Sequence, residues 1–214
     1  LFNNRIYGLT KGQYSPTSEL GKVTKSSPAG SADRPVSPCA FALGAGATFV
    51  ARTVDRNVAY MEETLRRAAQ HHGAAFVEIL QNCNVYNDLA WNVLYDRESK
   101  IMNDLRLEHG KPLLFGPVDD RHGLVLEGAR PRVVRVKDAP ESALWVHDDG
   151  DTWKAHVLSQ LWTPNFPIPI GILMQVEAPA YEEVLLEQER AAIAERGPGD
   201  VATLLVSGDT WRIG

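Results

Sequence analysis

The sequence is poor in cysteine and has no long apolar run. Its two cysteines, Cys39 and Cys83, among 214 residues are too few for the disulfide framework of a small secreted domain, and they suit a reducing cytoplasm. No stretch approaches the roughly 20 apolar residues that a membrane-spanning helix needs. The net charge of -5 argues against a general nucleic-acid binder, which needs a basic face for phosphates. We therefore expect a cytoplasmic protein with neither a membrane nor a nucleic acid as its partner.

The composition, with 44% hydrophobic and 23% charged residues, is typical of a globular protein. Residues 48–53 predict a strand. Asp55 or Asn57 can cap a helix whose apolar residues recur at helical spacing up to Gly73. Residues 74–80 form an apolar run typical of a strand covered on both faces. Strand, helix and strand in this order predict a right-handed crossover and a parallel sheet.

Ligands of parallel sheets bind beyond the carboxyl ends of the strands. Two polar segments follow such ends, one after Phe2 and the other after Leu80. We therefore place the candidate site there. Between the two lie residues 13–38, which are rich in Ser, Pro, Gly and Thr and predict a long loop, and residues 39–46, which predict a short helix.

The pattern changes beyond residue 98, so we predict two parts, residues 1–98 and 99–214. Short candidate strands separated by Gly, Pro and Asp indicate a small antiparallel excursion at 113–115, 124–126, 132–136 and 144–146. The remaining predicted elements are helices at 152–162, 181–196 and 201–205, and a strand at 170–176.

Residues 3–13 read Asn-Asn-Arg-Ile-Tyr-Gly-Leu-Thr-Lys-Gly-Gln, and Ser-Pro-Thr follows at 15–17. If a segment of this kind binds a diphosphate group, it also needs a hard cation such as Mg²⁺. This ion prefers six oxygen ligands in an octahedron. An amide at a strand end and a nearby backbone carbonyl can supply two of them, while a turn of this kind offers backbone N–H groups to phosphates. The segment resembles the second half of the thiamine-diphosphate motif of 2-oxoacid:ferredoxin oxidoreductases, in the beta subunit.

This resemblance implies an α/β fold: an incomplete thiamine-diphosphate-binding parallel-sheet domain with a family-type C-terminal extension. Residues 1–98 are then the C-terminal half of the binding domain. The resemblance also implies that Asn4, by its side-chain oxygen, and Ile6, by its main-chain oxygen, bind Mg²⁺. The residues implied to contact the cofactor are Asn4, Ile6, Tyr7, Gly8, Leu9 and Thr10.

The first half of the motif, Gly-Asp-Gly, is absent from the sequence. Residues 149–151 read Asp-Gly-Asp, but they lie downstream and lack the leading glycine, so we interpret them as a turn. We therefore expect the N-terminal part of the protein to be missing, and the chain alone to be inactive.

Cys83 lies in a second segment that resembles the family, residues 77–87, where a cysteine is one ligand of a 4Fe-4S cluster. Cluster irons are held by thiolates, usually four. The resemblance implies that Cys83 is such a ligand and that its partner cysteines lie in the missing part. The alternative is a small buried hydrophobic residue, which is the role we assign to Cys39.

Lys11 departs from the family members that act on pyruvate, which commonly have glycine at this position. A lysine beside the cofactor can pair with the second carboxylate of 2-oxoglutarate, and we predict that Lys11 binds substrate. The alternative is a lysine that faces solvent or the diphosphate.

The resemblance implies an enzyme that pairs this subunit with an alpha subunit. It decarboxylates a 2-oxoacid, with 2-oxoglutarate favoured, transfers the acyl group to coenzyme A and passes electrons through the cluster to ferredoxin. The alternatives are an enzyme for pyruvate or many 2-oxoacids, a non-redox thiamine-diphosphate decarboxylase or carboligase, and a non-catalytic subunit-contact module.

Overall fold

The computed structural model describes residues 1–209, 211 and 213, and its main sheet is built from both the early and the late parts of the chain. The strands are β1 (Phe2–Asn3), β2 (Phe49–Val54), β3 (Ala75–Leu80), β4 (Asp104–Arg106), β5 (Leu114–Phe115), β6 (His122–Glu127), β7 (Arg130–Arg135) and β8 (Ile168–Gln175). The helices are α1 (Pro38–Gly44), α2 (Val58–Gln70), α3 (Asn92–Tyr95), α4 (Arg97–Asn103), α5 (Thr152–Ser159), α6 (Tyr181–Arg196) and α7 (Val201–Leu205).

The main sheet has the order β1-β3-β2-β8-β4. Strands β1, β3 and β2 run parallel, β8 is antiparallel to β2, and β4 is parallel to β8. Strands β5, β6 and β7 form a separate antiparallel sheet. The predicted α/β class, the parallel β2-α2-β3 unit and the antiparallel excursion are therefore confirmed.

Helices α1 and α2 cover opposite faces of β2. Val50 belongs to a buried cluster with Leu43 of α1, whereas its neighbours Phe49 and Ala51 pack against Ala68 of α2. Successive side chains of a strand point to opposite faces, so the sheet is sandwiched between helices. This explains why every residue of β2 is buried.

Several predicted elements need correction. Strand β3 is buried only over its last three residues, so the run at 74–80 is not covered along its whole length. The predicted strand at 144–146 is reduced to isolated bridges, Pro112 with Val146 and Val125 with Leu144. The helix predicted at 152–162 ends at Ser159. As predicted, residues 149–151 form a turn, and Asp151 caps α5 by accepting a hydrogen bond from Lys154 N at 3.0 Å.

Two compact units divide the chain after Glu177: Leu1–Glu177 holds both sheets, and Ala178–Gly214 holds α6 and α7. The predicted division at residue 98 stays a prediction. No helix formed by the described residues is long and apolar enough to cross a membrane.

Candidate functional site

The carboxyl ends of the three parallel strands meet at one edge of the main sheet. Asp55 follows β2, and its N–H donates to the Leu80 carbonyl at 3.0 Å. Asn82 follows β3, and its N–H donates to the Asp55 carboxylate at 3.2 Å. Gln81 N donates to the Asn3 carbonyl at 3.0 Å and ties in β1. Because these bonds join neighbouring strand ends in the order β1-β3-β2, Asn4, Asn82 and Asp55 lie at the same edge of the sheet.

Residues 7–13, here called the motif turn, fold back on themselves. Tyr7 N donates to the Gln13 carbonyl at 2.9 Å, and Gly12 N donates to the Tyr7 carbonyl at 2.9 Å. The turn is exposed at its tip, where Leu9 is 96% exposed. Lys11 has φ 78° and Gly12 has φ 100°. The reversal therefore depends on two consecutive residues in the left-handed region, which costs a residue with a Cβ more than it costs glycine.

The segment 83–87, here called the Cys83 loop, packs directly on the motif turn. A Cβ added to Gly8 would lie 3.9 Å from Cys83 Sγ, and one added to Gly12 would lie 2.9 Å from the Tyr86 ring. Asn87 is buried, and its side-chain amide donates to the Asn4 carbonyl at 2.9 Å. The structure thus brings together the two segments that the sequence singled out separately.

The predicted magnesium ligands flank a strained residue. Asn4 is half-buried and Ile6 is buried, and Asn4 Oδ1 accepts a 3.3 Å bond from Ile6 N. Between them Arg5 has φ 55°. Its carbonyl accepts from Ser18 Oγ at 2.6 Å, and its guanidinium lies 3.8 Å above the Trp91 ring. Contacts on both sides of the backbone can hold a residue in such a strained conformation.

The donor set at this edge fits a hard cation. An amide oxygen and a main-chain carbonyl are ligands that Mg²⁺ accepts. In addition, Asn82 Oδ1 is buried and has no hydrogen-bond partner within the described residues. A buried acceptor of this kind is normally satisfied by a donor or a cation. Asn4, Ile6 and Asn82 are therefore suitable groups for binding or orienting a hydrated metal.

A buried charge network, which no sequence motif predicts, lies beneath the strand ends. Glu78 accepts from Arg52 Nε and Asn3 Nδ2, each at 2.7 Å, and the Cys39 thiol donates to it at 3.2 Å. All four residues are buried. Burial raises the pKa of the Cys39 thiol well above its ordinary value, so the thiol stays neutral. The sequence holds one signal of this network: Arg52 is the one charged residue of β2, and Glu78 is the one charged residue of β3.

Thr10 and Lys11 are exposed on the motif turn. The Thr10 hydroxyl donates to the Gln13 side-chain oxygen rather than facing free into the site. The Lys11 side chain is open to solvent in this chain, so a desolvated contact with a carboxylate requires cover from another segment or subunit. The roles predicted for the motif residues and for Cys83 stay predictions.

The chain is similar to known proteins over its whole length. The family model described as the C-terminal TPP binding domain of thiamine pyrophosphate enzymes matches residues 1–79. The 2-oxoglutarate oxidoreductase subunit KorB of Mycobacterium tuberculosis is 43% identical in an alignment that covers 100% of this chain and 58% of the relative. The chain belongs to the family of 2-oxoacid:ferredoxin oxidoreductase beta subunits. The predicted family is confirmed.

A further relative matches part of the chain, and a solved structure matches nearly all of it. The 2-oxoacid:ferredoxin oxidoreductase subunit beta of Saccharolobus solfataricus is 43% identical over 44% of this chain and 31% of its own length. A solved 2-oxoglutarate:ferredoxin oxidoreductase from Magnetococcus marinus, with 2-oxoglutarate, coenzyme A and succinyl-CoA bound, superimposes with a TM-score of 0.65. At 24% identity over 97% of this chain and 56% of the other, it supports the fold. The chain thus spans less than two thirds of the length of the Mycobacterium tuberculosis subunit and of the Magnetococcus marinus chain.

Proposed function

We propose that this chain is the C-terminal part of a thiamine-diphosphate-binding beta subunit that takes part in the oxidative decarboxylation of a 2-oxoacid to an acyl-CoA, with 2-oxoglutarate favoured. The observation that carries the proposal is the packing of the Cys83 loop on the motif turn at the carboxyl edge of β1 and β3. A diphosphate-binding turn and a thiol side by side fit an enzyme that couples decarboxylation to electron transfer.

In this proposal each group at the edge has a definite task. Asn4 and Ile6 hold Mg²⁺ by oxygen atoms, and the backbone of the motif turn, from Tyr7 to Thr10, approaches the diphosphate. Bound there, the cofactor supplies an electron sink for decarboxylation. The Asn87 amide holds the Asn4 carbonyl at 2.9 Å, so the Cys83 loop fixes the position of the metal ligand. The protein contributes mainly orientation and electrostatics.

The proposal includes a 4Fe-4S cluster bound by Cys83. The remaining thiolates come from a part of the subunit outside this chain, because Cys39 is buried against Glu78. The partners we propose are an alpha subunit, ferredoxin, coenzyme A and the 2-oxoacid, in the cytoplasm. Two observations support them: the names of several relatives include ferredoxin, and the Magnetococcus marinus structure contains coenzyme A.

The first test replaces the thiol by a hydroxyl. In the complete subunit with its alpha partner, we expect Cys83→Ser to lose most of the 4Fe-4S signal, because serine is a much poorer ligand of iron than a thiolate. Electron paramagnetic resonance after reduction measures the cluster, and ferredoxin reduction measures the electron transfer. Cys39→Ser is the matched control, and it should leave the cluster signal in place.

The outcome separates the redox enzyme from its alternatives. An unchanged cluster signal in Cys83→Ser would remove Cys83 from the ligand set. A complete subunit that binds thiamine diphosphate but holds no iron would favour a non-redox decarboxylase or carboligase. A complete subunit that binds neither would favour the non-catalytic contact module.

The second test concerns Lys11 and substrate choice. A charge-assisted hydrogen bond to the distal carboxylate of 2-oxoglutarate is worth about 1.5–3 kcal/mol, which is roughly ten- to a hundredfold in kcat/KM. Pyruvate lacks this carboxylate. In the intact complex we therefore expect Lys11→Gly to lower the 2-oxoglutarate to pyruvate ratio of kcat/KM by about that factor, with coenzyme A and acceptor saturating.

The backbone gives the same substitution a second readout. Because Lys11 has φ 78°, glycine relieves strain, and we expect Lys11→Gly to raise the free energy of unfolding by up to about 1 kcal/mol. Thr10→Gly is the control and should lower it slightly, because the φ of Thr10 is not positive. Equal losses of kcat/KM on both acids would assign Lys11 to the cofactor or the shared keto-acid group, and no loss would place it in solvent.

A further inference from the structure

We infer that a divalent cation binds to His109, Asp148 and Asp149, at a second site unrelated to the cofactor metal. One ligand atom from each residue lies within 4.8 Å of the other two. His109 Nδ1 is 2.8 Å from an oxygen of Asp149 and 3.9 Å from an oxygen of Asp148. An imidazole and two carboxylates that converge in this way are a common ligand set for transition-metal ions.

Backbone hydrogen bonds fix the two segments that carry these residues. His109 lies in the turn after β4, and Asp148 and Asp149 lie in the turn before α5. Gly110 N donates to the His147 carbonyl at 2.9 Å. The Asp149 carbonyl in turn accepts from Gln175 N of β8 at 2.8 Å. The main chain therefore holds the ligands close together before any ion arrives, which reduces the cost of ordering them on binding.

His147 provides independent evidence for a ligand at this place. The residue is only 2% exposed, and Nε2 lies 2.8 Å from the Ile172 carbonyl. A carbonyl only accepts, so Nε2 carries the hydrogen and a neutral ring keeps a lone pair on Nδ1. Nδ1 is buried without a hydrogen-bond partner among the described residues. A water molecule bound to the ion would supply the missing donor.

His147 lines the same cavity as His109 and Asp149, and this cavity has a volume of about 330 Å³. His147 and two of the three proposed ligands therefore lie in the wall of one cavity. It leaves room for an ion together with the water molecules that complete its coordination. A buried lone pair that has no hydrogen-bond donor is unfavourable.

The charges around the cavity also favour a cation. Glu63 and Glu108 line it together with Asp149, and Glu63 is paired with Arg66. Arg67 is the one Lys or Arg among the described lining residues. Its guanidinium donates to the Gln175 side chain at 2.6 Å and stays 4.0 Å from Asp149. Arg67 is nearest to Asp149 Oδ2, whereas His109 is nearest to Asp149 Oδ1. The Oδ1 atom therefore stays available to the ion.

The ligand chemistry points to Zn²⁺ or Co²⁺ rather than Mg²⁺. Mg²⁺ demands six oxygen ligands in a near-ideal octahedron. Zn²⁺ accepts imidazole nitrogen and carboxylate oxygen in a four-coordinate site. Three protein ligands and one water molecule, which is hydrogen-bonded to His147, would complete such a site. The ion would link the turn after β4 to the turn before α5.

The test is a titration of the full chain with ZnCl₂ by calorimetry, repeated with CoCl₂ in an absorbance cell. We expect one Zn²⁺ whose affinity falls by at least about tenfold in His109→Ala and in Asp149→Asn. The matched controls, His156→Ala and Asp119→Asn, remove the same groups elsewhere and should bind as the wild type does. Each ligand side chain is at least partly exposed, so the variants should fold.

Two further readouts separate this site from the proposed cofactor site. Asn4→Ala should keep the Zn²⁺ affinity, and the bound Co²⁺ should lack the near-ultraviolet charge-transfer band that a Cys83 thiolate would produce. Saturating Zn²⁺ should raise the unfolding temperature of the wild type but not of His109→Ala. The inference is wrong if the wild type binds no Zn²⁺, if the ligand variants bind it equally well, or if Cys83→Ser alone abolishes binding.

Discussion

Glu78→Leu should lower the free energy of unfolding by about 3–5 kcal/mol, because it leaves the guanidinium of Arg52 buried without its counter-charge. Both side chains are 0% exposed and 2.7 Å apart. The Pro169 carbonyl, 3.4 Å from Arg52 Nη1, is a weak substitute for a carboxylate. Urea unfolding followed by circular dichroism measures the change.

A double-mutant cycle tests whether the buried pair itself is responsible. Arg52→Met combined with Glu78→Leu removes both charges, and we expect it to recover much of the stability that the single variant loses. Arg66→Met is the surface control, because its ion pairs with Glu62 and Glu63 are exposed and contribute less than about 1 kcal/mol. Additive losses in the double variant would mean that the charges are energetically independent.

Asn4→Ala in the complete subunit should weaken Mg²⁺-dependent binding of thiamine diphosphate by about a hundredfold or more. Removing even an outer-shell partner of a metal costs about 10- to 100-fold in affinity, and a direct ligand should cost at least as much. Asn4 is half-buried, and the bond that its side-chain oxygen accepts from Ile6 N is long, at 3.3 Å, so the fold should survive. Calorimetric titration at saturating Mg²⁺ measures the affinity.

The control for this variant is Asn165→Ala, an exposed asparagine far along the chain from the motif turn. Its cofactor affinity should match that of the wild type. If Asn4→Ala also binds as tightly as the wild type, Asn4 is not a magnesium ligand. The chain alone lacks the Gly-Asp-Gly segment that the family resemblance implies. It should therefore bind the cofactor poorly, whether or not Asn4 or Asn165 is replaced.

The parts of the fold that were predicted well depend on local sequence patterns. Helix α6 has the predicted bounds, Tyr181–Arg196, and the predicted strand-helix-strand unit gives β2, α2 and β3 in parallel. Each depends on helical spacing, apolar runs and a capping residue, such as Asn57, which accepts from Tyr60 N. Local patterns do not predict which strands lie next to each other in a sheet. The position of β8 between β2 and β4 depends on contacts far apart in the chain.

The site shows the same division between local and distant information. The motif turn and the Cys83 loop were identified from continuous segments, and the structure packs them together. Arg5 over Trp91 and Asn3 on Glu78 were missed. No local spacing connects residues separated by more than 70 positions. In β3, the one sequence feature that indicates the Asn3 contact is the charge of Glu78 in an otherwise apolar strand.

The position of β8 inside the sheet, between β2 and β4, affects the order of events on the ribosome. Strand β2 is complete at Val54, but the edge that β8 covers stays open until Ile168–Gln175 has been made. At roughly 5–20 residues per second, that interval after β3 lasts about 5–20 s. Throughout it, the nascent chain carries an apolar strand with unpaired N–H and C=O groups, a template for pairing with another chain. Slow translation between β3 and β8 should therefore favour aggregation, and a chaperone that shields this edge should raise the yield of folded protein.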